Sequence, residues 1–376
     1  MSVFADRPTL RWVVPVAAVA LIGAGSLLVS QEASADAGLT PRTAAQLLVD
    51  VQNAGHQPFS GTVTQQVDLG LPEIPSLSGG SPSGVGGSSA GSGATTALTS
   101  VLSGTHTWRV WVGGPTQSRL ALVGGSGETD VIRNGSDVWL WSSADTSAVH
   151  ETVTASANPH ATSPTDLPRT PAEAAQKALA ALDPTTTVTT SGTAVVAGRP
   201  AYELVLAPKG GGTRVAQVRI AVDAATRVPL GVEVFSTKQA NPVIDVRFSS
   251  VDMGAPDASR FTFTPPPGTT VTEPKAGAEH AADPASKPAV KVVGKGWHAV
   301  AVATVPKQVA GSGSAGATGD QGQLTSLLAS LPKVSGAWGN GHLLEGTLFS
   351  AVLTDDGRVA VGAVEPTALY AALASS

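Results

Sequence analysis

The chain has 376 residues, among them 42 Gly, 27 Pro and no Cys, with 23 Lys plus Arg against 28 Asp plus Glu for a net charge of −5. The missing thiol excludes a disulfide scaffold, a cysteine nucleophile, a Cys-ligated zinc or iron–sulfur site and a lipidated cysteine. A mildly acidic chain without long basic runs argues against nucleic acid as a partner, and 42% hydrophobic content is too high for a wholly disordered chain.

Arg7 and Arg11 precede an uncharged run, Trp12 to Ser30, and Ala33-Ser34-Ala35 follows. A basic start, an apolar run and an A-x-A site describe a secretory signal cleaved after Ala35. The run is also nearly long enough to span a bilayer, which takes about 20 residues. Residues 1–37 are therefore a signal peptide or a membrane anchor. Either places the rest of the chain extracytoplasmically, with any membrane contact made through this segment.

A helix is expected from Thr40 to Asn53, with Pro41 in its first turn, Ala44, Leu47, Leu48 and Val51 on one face, and Gly55 ending it. A strand follows from Phe59 to Leu69 with Val63, Val67 and Leu69 at period two. Residues 78–97 form a low-complexity insertion, almost all Gly, Ser and Pro over 78–93. Between Thr105 and Val153 the spacing predicts an antiparallel meander: His106–Val112, Ser118–Val123, Thr129–Arg133, the hairpin signal Asn134-Gly135, then Asp137–Ser142. A capped helix is expected over Pro171–Leu182, after Thr170 and with Glu173 at the third position.

A second strand set follows: Val188–Val196, Ala201–Leu206, Arg214–Asp223, Leu230–Thr237 and Val243–Val251. Each strand from 201 onward alternates an apolar with a charged side, so one face of the sheet meets water. Phe261 to Gly268 closes the body, and 276–288 is a linker. The 289–376 segment reads as a small α+β unit: a strand over Ala289–Val305, a Gly/Ser loop at 310–322, a helix at Leu324–Leu331, a strand near His342–Leu353, the turn Thr354–Gly357, a strand Arg358–Val364 and a helix after Pro366. The spacing leaves open whether these strands join the main sheet.

This order of elements, with FSGTVTQQV, HTWRVWV, VIRNGSDVWLWSS, YELVLAPK, VRIAVDAATRVPLGVEVFS and FTFTPPPGTTV, resembles the LolA/RseB-like family of extracytoplasmic lipid- and lipoprotein-binding proteins, in its actinobacterial, outer-membrane-lipoprotein-carrier-like form. The resemblance spans about 40–275. Gly135, Trp139 and Trp141 match the family's hairpin strand, and Asp223, Thr226, Pro229 and Leu230 match its strand turn. The insertion and the tail depart from the simplest members, although RseB-like members carry a second domain. The resemblance implies an α+β fold for 38–275: a curved antiparallel half-barrel sheet lidded by a few helices, with an apolar cavity between them.

No catalytic site and no cofactor is expected. None of the seven His forms a metal-binding pair in sequence. The G-x-S-x-G match at 87–91 and the G-x-G-x-x-G match at 311–316 fall in low-complexity stretches without the strand–turn–helix context such motifs need. Asp355-Asp356-Gly357 lacks the rest of a calcium loop and reads as a hairpin turn. Trp108, Trp111, Trp139 and Trp141 are either ordinary core or the wall of a ligand cavity. In the lipid-binding reading the wall consists of Trp108, Val110, Leu120, Leu122, Val131, Trp139, Trp141, Leu204, Val218, Ile220, Val232, Val234 and Phe248. The expected partner is then a lipid or the acyl chain of a lipoprotein. The alternatives are a regulatory sensor acting on a membrane-bound anti-sigma protein, and a non-catalytic cell-envelope scaffold.

Overall fold

The structure is a computed structural model that describes residues 39–54, 57–70, 104–124, 127–153, 170, 171, 175, 185–273, 290–304 and 331–376. The N-terminal segment, Gly55, the insertion at 78–97, the linker at 276–288, the loop at 310–322, the helix at 324–331 apart from Leu331, and the two glycine-motif matches lie outside those residues. Of the helix expected over 171–182, only Pro171 and Ala175 are described; both are helical, and Ala175 is fully buried. Among the described residues no helix is long and apolar enough to cross a membrane.

Helix α1 (Ala44–Asn53) starts later than Pro41 suggests. Thr43 is its N-cap: the Thr43 hydroxyl accepts from the Gln46 amide at 3.3 Å, and the Gln46 side chain accepts from the Thr43 amide at 2.9 Å. This reciprocal box satisfies two otherwise orphaned donors and sets the start of the helix. The carbonyl of Thr40 is engaged elsewhere, accepting from the Tyr202 hydroxyl at 2.8 Å.

The chain then forms β1 (Phe59–Val67), a meander of β2 (Gly104–Gly114), β3 (Gln117–Gly124), β4 (Gly127–Asn134), β5 (Asp137–Ser142) and β6 (Ser147–Thr152), and a second meander of β7 (Thr186–Val196), β8 (Arg199–Pro208), β9 (Val215–Asp223), β10 (Pro229–Ser236) and β11 (Pro242–Asp252). Both meanders belong to one sheet, joined through β1, which pairs antiparallel with β2 on one side and β11 on the other. Gly61 allows the β1–β11 crossing, because a Cβ there would overlap the Ser250 carbonyl and press on the Phe248 ring. The β4–β5 loop is Gly135-Ser136, one residue later than expected: Asn134 ends β4 paired with Asp137, and Gly135 takes the left-handed position with φ of 65°.

After β11 the chain makes a short 3-10 turn (Ala258–Phe261) against β3 and β4. It then adds β12 (Thr270–Thr272) parallel to β6 at the far edge. The result is an open twelve-stranded sheet in the order β12-β6-β5-β4-β3-β2-β1-β11-β10-β9-β8-β7.

The tail forms its own six-stranded antiparallel sheet from β13 (Val290–Val293), β14 (Val300–Thr304), β15 (Lys333–Gly336), β16 (Gly339–Glu345), β17 (Ser350–Thr354) and β18 (Arg358–Gly362), ordered β13-β14-β18-β17-β16-β15. The strand expected over 289–305 is broken by a 3-10 turn at Gly296–His298 into β13 and β14. The strand expected near 342–353 is a hairpin of β16 and β17. Helix α2 (Pro366–Ala374) completes the tail. Among the described residues the protein is thus predominantly β with few helices, namely α1, α2 and the helical positions Pro171 and Ala175.

The two sheets share a core. Trp297, Leu348 and Ala363 of the tail join the main cluster with Leu47, Leu204 and Ile220. The buried Arg214 pins the junction by donating to the Gly346 carbonyl at 2.6 Å and pairing with Glu345 and, at 3.3 Å, with Glu365. Trp297 Nε1 donates to Thr186 Oγ1 at 2.8 Å, and Ser236 Oγ donates to the Thr347 carbonyl at 2.6 Å.

Candidate functional site

Directly paired residues on neighbouring strands point to the same side of a sheet. Following the register from β8 to β5 therefore sorts the predicted wall residues. Leu204 pairs with Ile220, Ile220 with Val232, and Val232 with Val246. Val218 pairs with Val234, and Val246 pairs with Gln65. Val63 lies opposite both Phe248 and Trp108. Trp108 pairs with Leu122, Val110 with Leu120, Leu120 with Val131, and Val131 with Leu140. Eleven of the thirteen predicted residues thus lie on one apolar face, the face covered by α1 through Leu47 and Val51.

Trp139 and Trp141 do not. Trp139 pairs with Ile132 and Trp141 with Asp130, so both point to the opposite face. The reason is the alternation of Asp137-Val-Trp-Leu-Trp-Ser142, which is apolar on both sides. Period two groups Trp139 with Trp141 but cannot say which side they share until the β4–β5 register is known. On that outer side they meet the crossing segment after β11. Phe263 lies 5.2 Å from Trp139 and 6.0 Å from Trp141, and His150 stacks on Trp139 at 4.1 Å. Trp111 also faces this side, between the guanidinium groups of Arg119 and Arg260.

Exposure along the apolar face is graded. Over β8–β11 it is closed: Leu204, Val218 and Ile220 have no exposed surface. Over β2 and β3, Trp108, Val110, Leu120 and Leu122 are still buried. The cover thins toward β4 and β5 and at the Val112 end of β2: Val112, Val131 and Leu140 are only partly buried against the same cluster. Val149 on β6, opposite Leu140, is also half-buried. Sequence reasoning misses Val112, Leu140 and Val149. Val112 stands at period two from Val110 and Leu140 at period two from Val138, but that signal names a face only once a register is available.

A buried amide stands among the apolar residues of this face. Gln65, buried between Val63 and Val67 on β1, accepts from the Trp108 indole at 3.0 Å. A buried indole N–H is stabilised by an acceptor, and the Gln at an otherwise apolar period-two position is the sequence signal for this pair.

The outer face holds a buried charge. Asp130 is fully buried and pairs with Arg119, while its Oδ1 makes no hydrogen bond. Burial pushes its carboxyl up to about 6, against the opposing attraction of Arg119. At the β9–β10 turn, Asp223 behaves oppositely. Burial alone would raise its carboxyl, but hydrogen bonds from Arg199 at 2.7 and 2.9 Å and from the Thr226 amide and hydroxyl at 2.7 Å hold it below the ordinary value. Among the described residues no group of three His, Asp or Glu side chains could hold a metal ion.

No family model and no curated protein matches the chain. Among solved structures, the chain is similar to MucB in the Pseudomonas aeruginosa MucA/MucB complex, at 14% identity over 88% of this chain and 96% of that chain, with a TM-score of 0.41. It is also similar to an uncharacterized conserved protein from Thermus thermophilus, at 12% identity over 61% of this chain and 99% of that chain, with a TM-score of 0.32. A LolA superfamily protein from Nitrosomonas europaea is similar at 10% identity over 59% of this chain and 99% of that chain, with a TM-score of 0.23. Likenesses at these scores do not carry a function across.

Proposed function

We propose that the protein is a non-catalytic extracytoplasmic binding protein that holds a lipid, or the acyl chain of a lipoprotein, against the apolar face of its twelve-stranded sheet. In this reading the sheet curls as a half-barrel, α1 lids one part of it, and the N-terminal segment exports or tethers the body. The observation that carries the reading is the gradient on that face: a dry, filled core over β8–β11 that continues into partly buried Val112, Val131 and Leu140. A contiguous apolar wall with partly exposed residues is where a hydrocarbon chain gains most, at about 0.8 kcal/mol per buried CH₂. No reacting group is required; extraction by burial suffices.

The second reading, a sensor that acts on a membrane-bound regulatory protein, is favoured by one feature: a second sheet docked on the first through a buried arginine. The acyl-chain face is common to both readings.

Leu140 tests the binding face because it is half-buried and its replacement spares the filled core. Leu140→Asp is expected to weaken uptake of a fluorescent fatty acid by at least about tenfold, equivalent to ~1.4 kcal/mol, since a carboxylate there must be desolvated when the chain docks. A folded variant with unchanged uptake would remove this face from the binding site.

A further inference from the structure

Exposure on the apolar face is graded along the strands as well as across them. Over β2–β6 the register sets three neighbouring rows on that face. Trp108, Leu122, Thr129, Ser142 and Ser147 form the first row, and all five are buried. The second row runs from Val110 to Val149 through Leu120, Val131 and Leu140; it is buried on β2 and β3 and half-buried from β4 onward. In the third row Val112, Ser118, Arg133 and Val138 are all half-buried. The face therefore opens toward the β2–β3 and β4–β5 turns. A hydrocarbon chain gains most with its tail toward the closed row, which leaves its polar end at the open one.

Arg133 is the cation of that open row. It shares the side of Val131 by period two and stands directly opposite Ser118 and Val138. Among the described residues its one hydrogen bond runs from Nε to the Gly135 carbonyl at 3.2 Å, and no carboxylate pairs with it. Arg119, Arg199, Arg214 and Arg247, by contrast, each pair with a carboxylate. Asp137, in the same hairpin as Arg133, lies on the opposite face and is bonded to His150 at 2.9 Å. Glu151, which ends the third row, is exposed and stands two strands from Arg133, about 10 Å away.

We infer that the ligand of this face carries an anionic head, a carboxylate or a phosphate, and that Arg133 binds it through its terminal guanidinium nitrogens. The inference rests on the lipid-binding reading and specifies its ligand. A planar guanidinium offers two parallel donors that match either oxyanion. The chain as a whole carries −5, so a preference for anions has to come from a local cation.

The test is retention of radiolabelled dodecanoate, dodecyl phosphate and dodecanol by the full-length chain, held on beads after detergent is removed. The three share a tail and differ in head. The two anions are expected to bind about fivefold tighter than dodecanol, and less so in 1 M salt. Arg133→Gln is expected to bring both anions down to the level of dodecanol, whereas Arg109→Gln, on the opposite face, keeps the preference. A preference for one anion alone supports the inference and identifies the head. Equal binding of all three by the unaltered chain, or a preference that survives Arg133→Gln, would overturn the inference and leave the apolar face as a binding site. Retention of none, dodecanol included, would remove the lipid-binding reading and this inference with it. Should Arg133→Gln fail to fold, the three ligands on the unaltered chain at low and high salt decide.

Discussion

Burial holds the Asp130 carboxyl at about 6, well above its ordinary value, with Arg119 opposing the rise and Glu128 adding to it. A group whose proton is held more tightly in the folded state than in the unfolded chain favours folding at low pH. That contribution is present below the unfolded value near 4 and is lost as pH climbs through 6. Asp130→Asn keeps the shape and removes the titration. The variant is expected to lack the fall in stability that the parent shows between about pH 4 and 6, measured as the denaturant midpoint at constant m-value. A parent curve that is flat or rising over that window would contradict the burial account. The same residue shows what the sequence does not reveal. Asp130 sits in Thr129-Asp-Val-Ile-Arg133, and alternation alone makes it a solvent-face residue. Its burial comes from the segment after β11 crossing that face with Phe261 and Phe263, a contact far away in sequence. Trp139 and Trp141 fall on the other wall for a related reason: both sides of β5 are apolar, so hydrophobicity does not reveal the side.

At the scale of elements, local chemistry is legible and register is not. Apart from β6, which the spacing does not single out, the strands of both meanders, the hairpin at Gly135 and the turn at Thr354–Gly357 all lie within a few residues of their expected positions, because turn residues and period two are local signals. The start of α1 differs because Thr43 offers a better cap than Thr40. The turn between β9 and β10 also has a local cause. Asp223 binds Arg199 from the neighbouring hairpin and caps its own turn through the Ala225 and Thr226 amides. Its lowered pKa means this stabilisation is present above pH about 4 and is lost as pH falls through the folded value. Asp223→Asn is expected to cost roughly 1–3 kcal/mol at neutral pH. The deficit should shrink on acidification, as the parent loses the same charge. A cost that stays constant from neutral to strongly acidic pH would show that shape, not charge, carries the turn.

For the whole molecule, the composition acquires a location. Much of the Gly and Pro excess lies in 78–97, 310–322 and the Pro-rich joints, while the described body is a pair of sheets, antiparallel except for the β12–β6 pair, with a common core. Whether the tail extends the main sheet is not readable from sequence, because its strands carry the same alternation as the rest. Pairing assigns them to a separate sheet, and Arg214 marks where the two meet. Arg214→Ala removes a buried guanidinium that bridges Glu345, Glu365 and the Gly346 carbonyl. Since both carboxylates are partly exposed, the cost is expected to be about 1–3 kcal/mol, with the tail becoming cleavable by protease before the main sheet. Simultaneous loss of both sheets in one transition of unchanged midpoint would contradict a joint held by this residue.

The apolar face links these scales: residues buried over β8–β11 and strands that carry the face on toward β5. Native mass spectrometry of the protein purified from membranes that produced it tests the central claim most directly. The account predicts a population heavier than the bare chain by the mass of a lipid or fatty acid, and loss of that population in Leu140→Asp. A single species at the mass of the chain alone, unchanged on adding fatty acid, would contradict it and leave the apolar face as closed core.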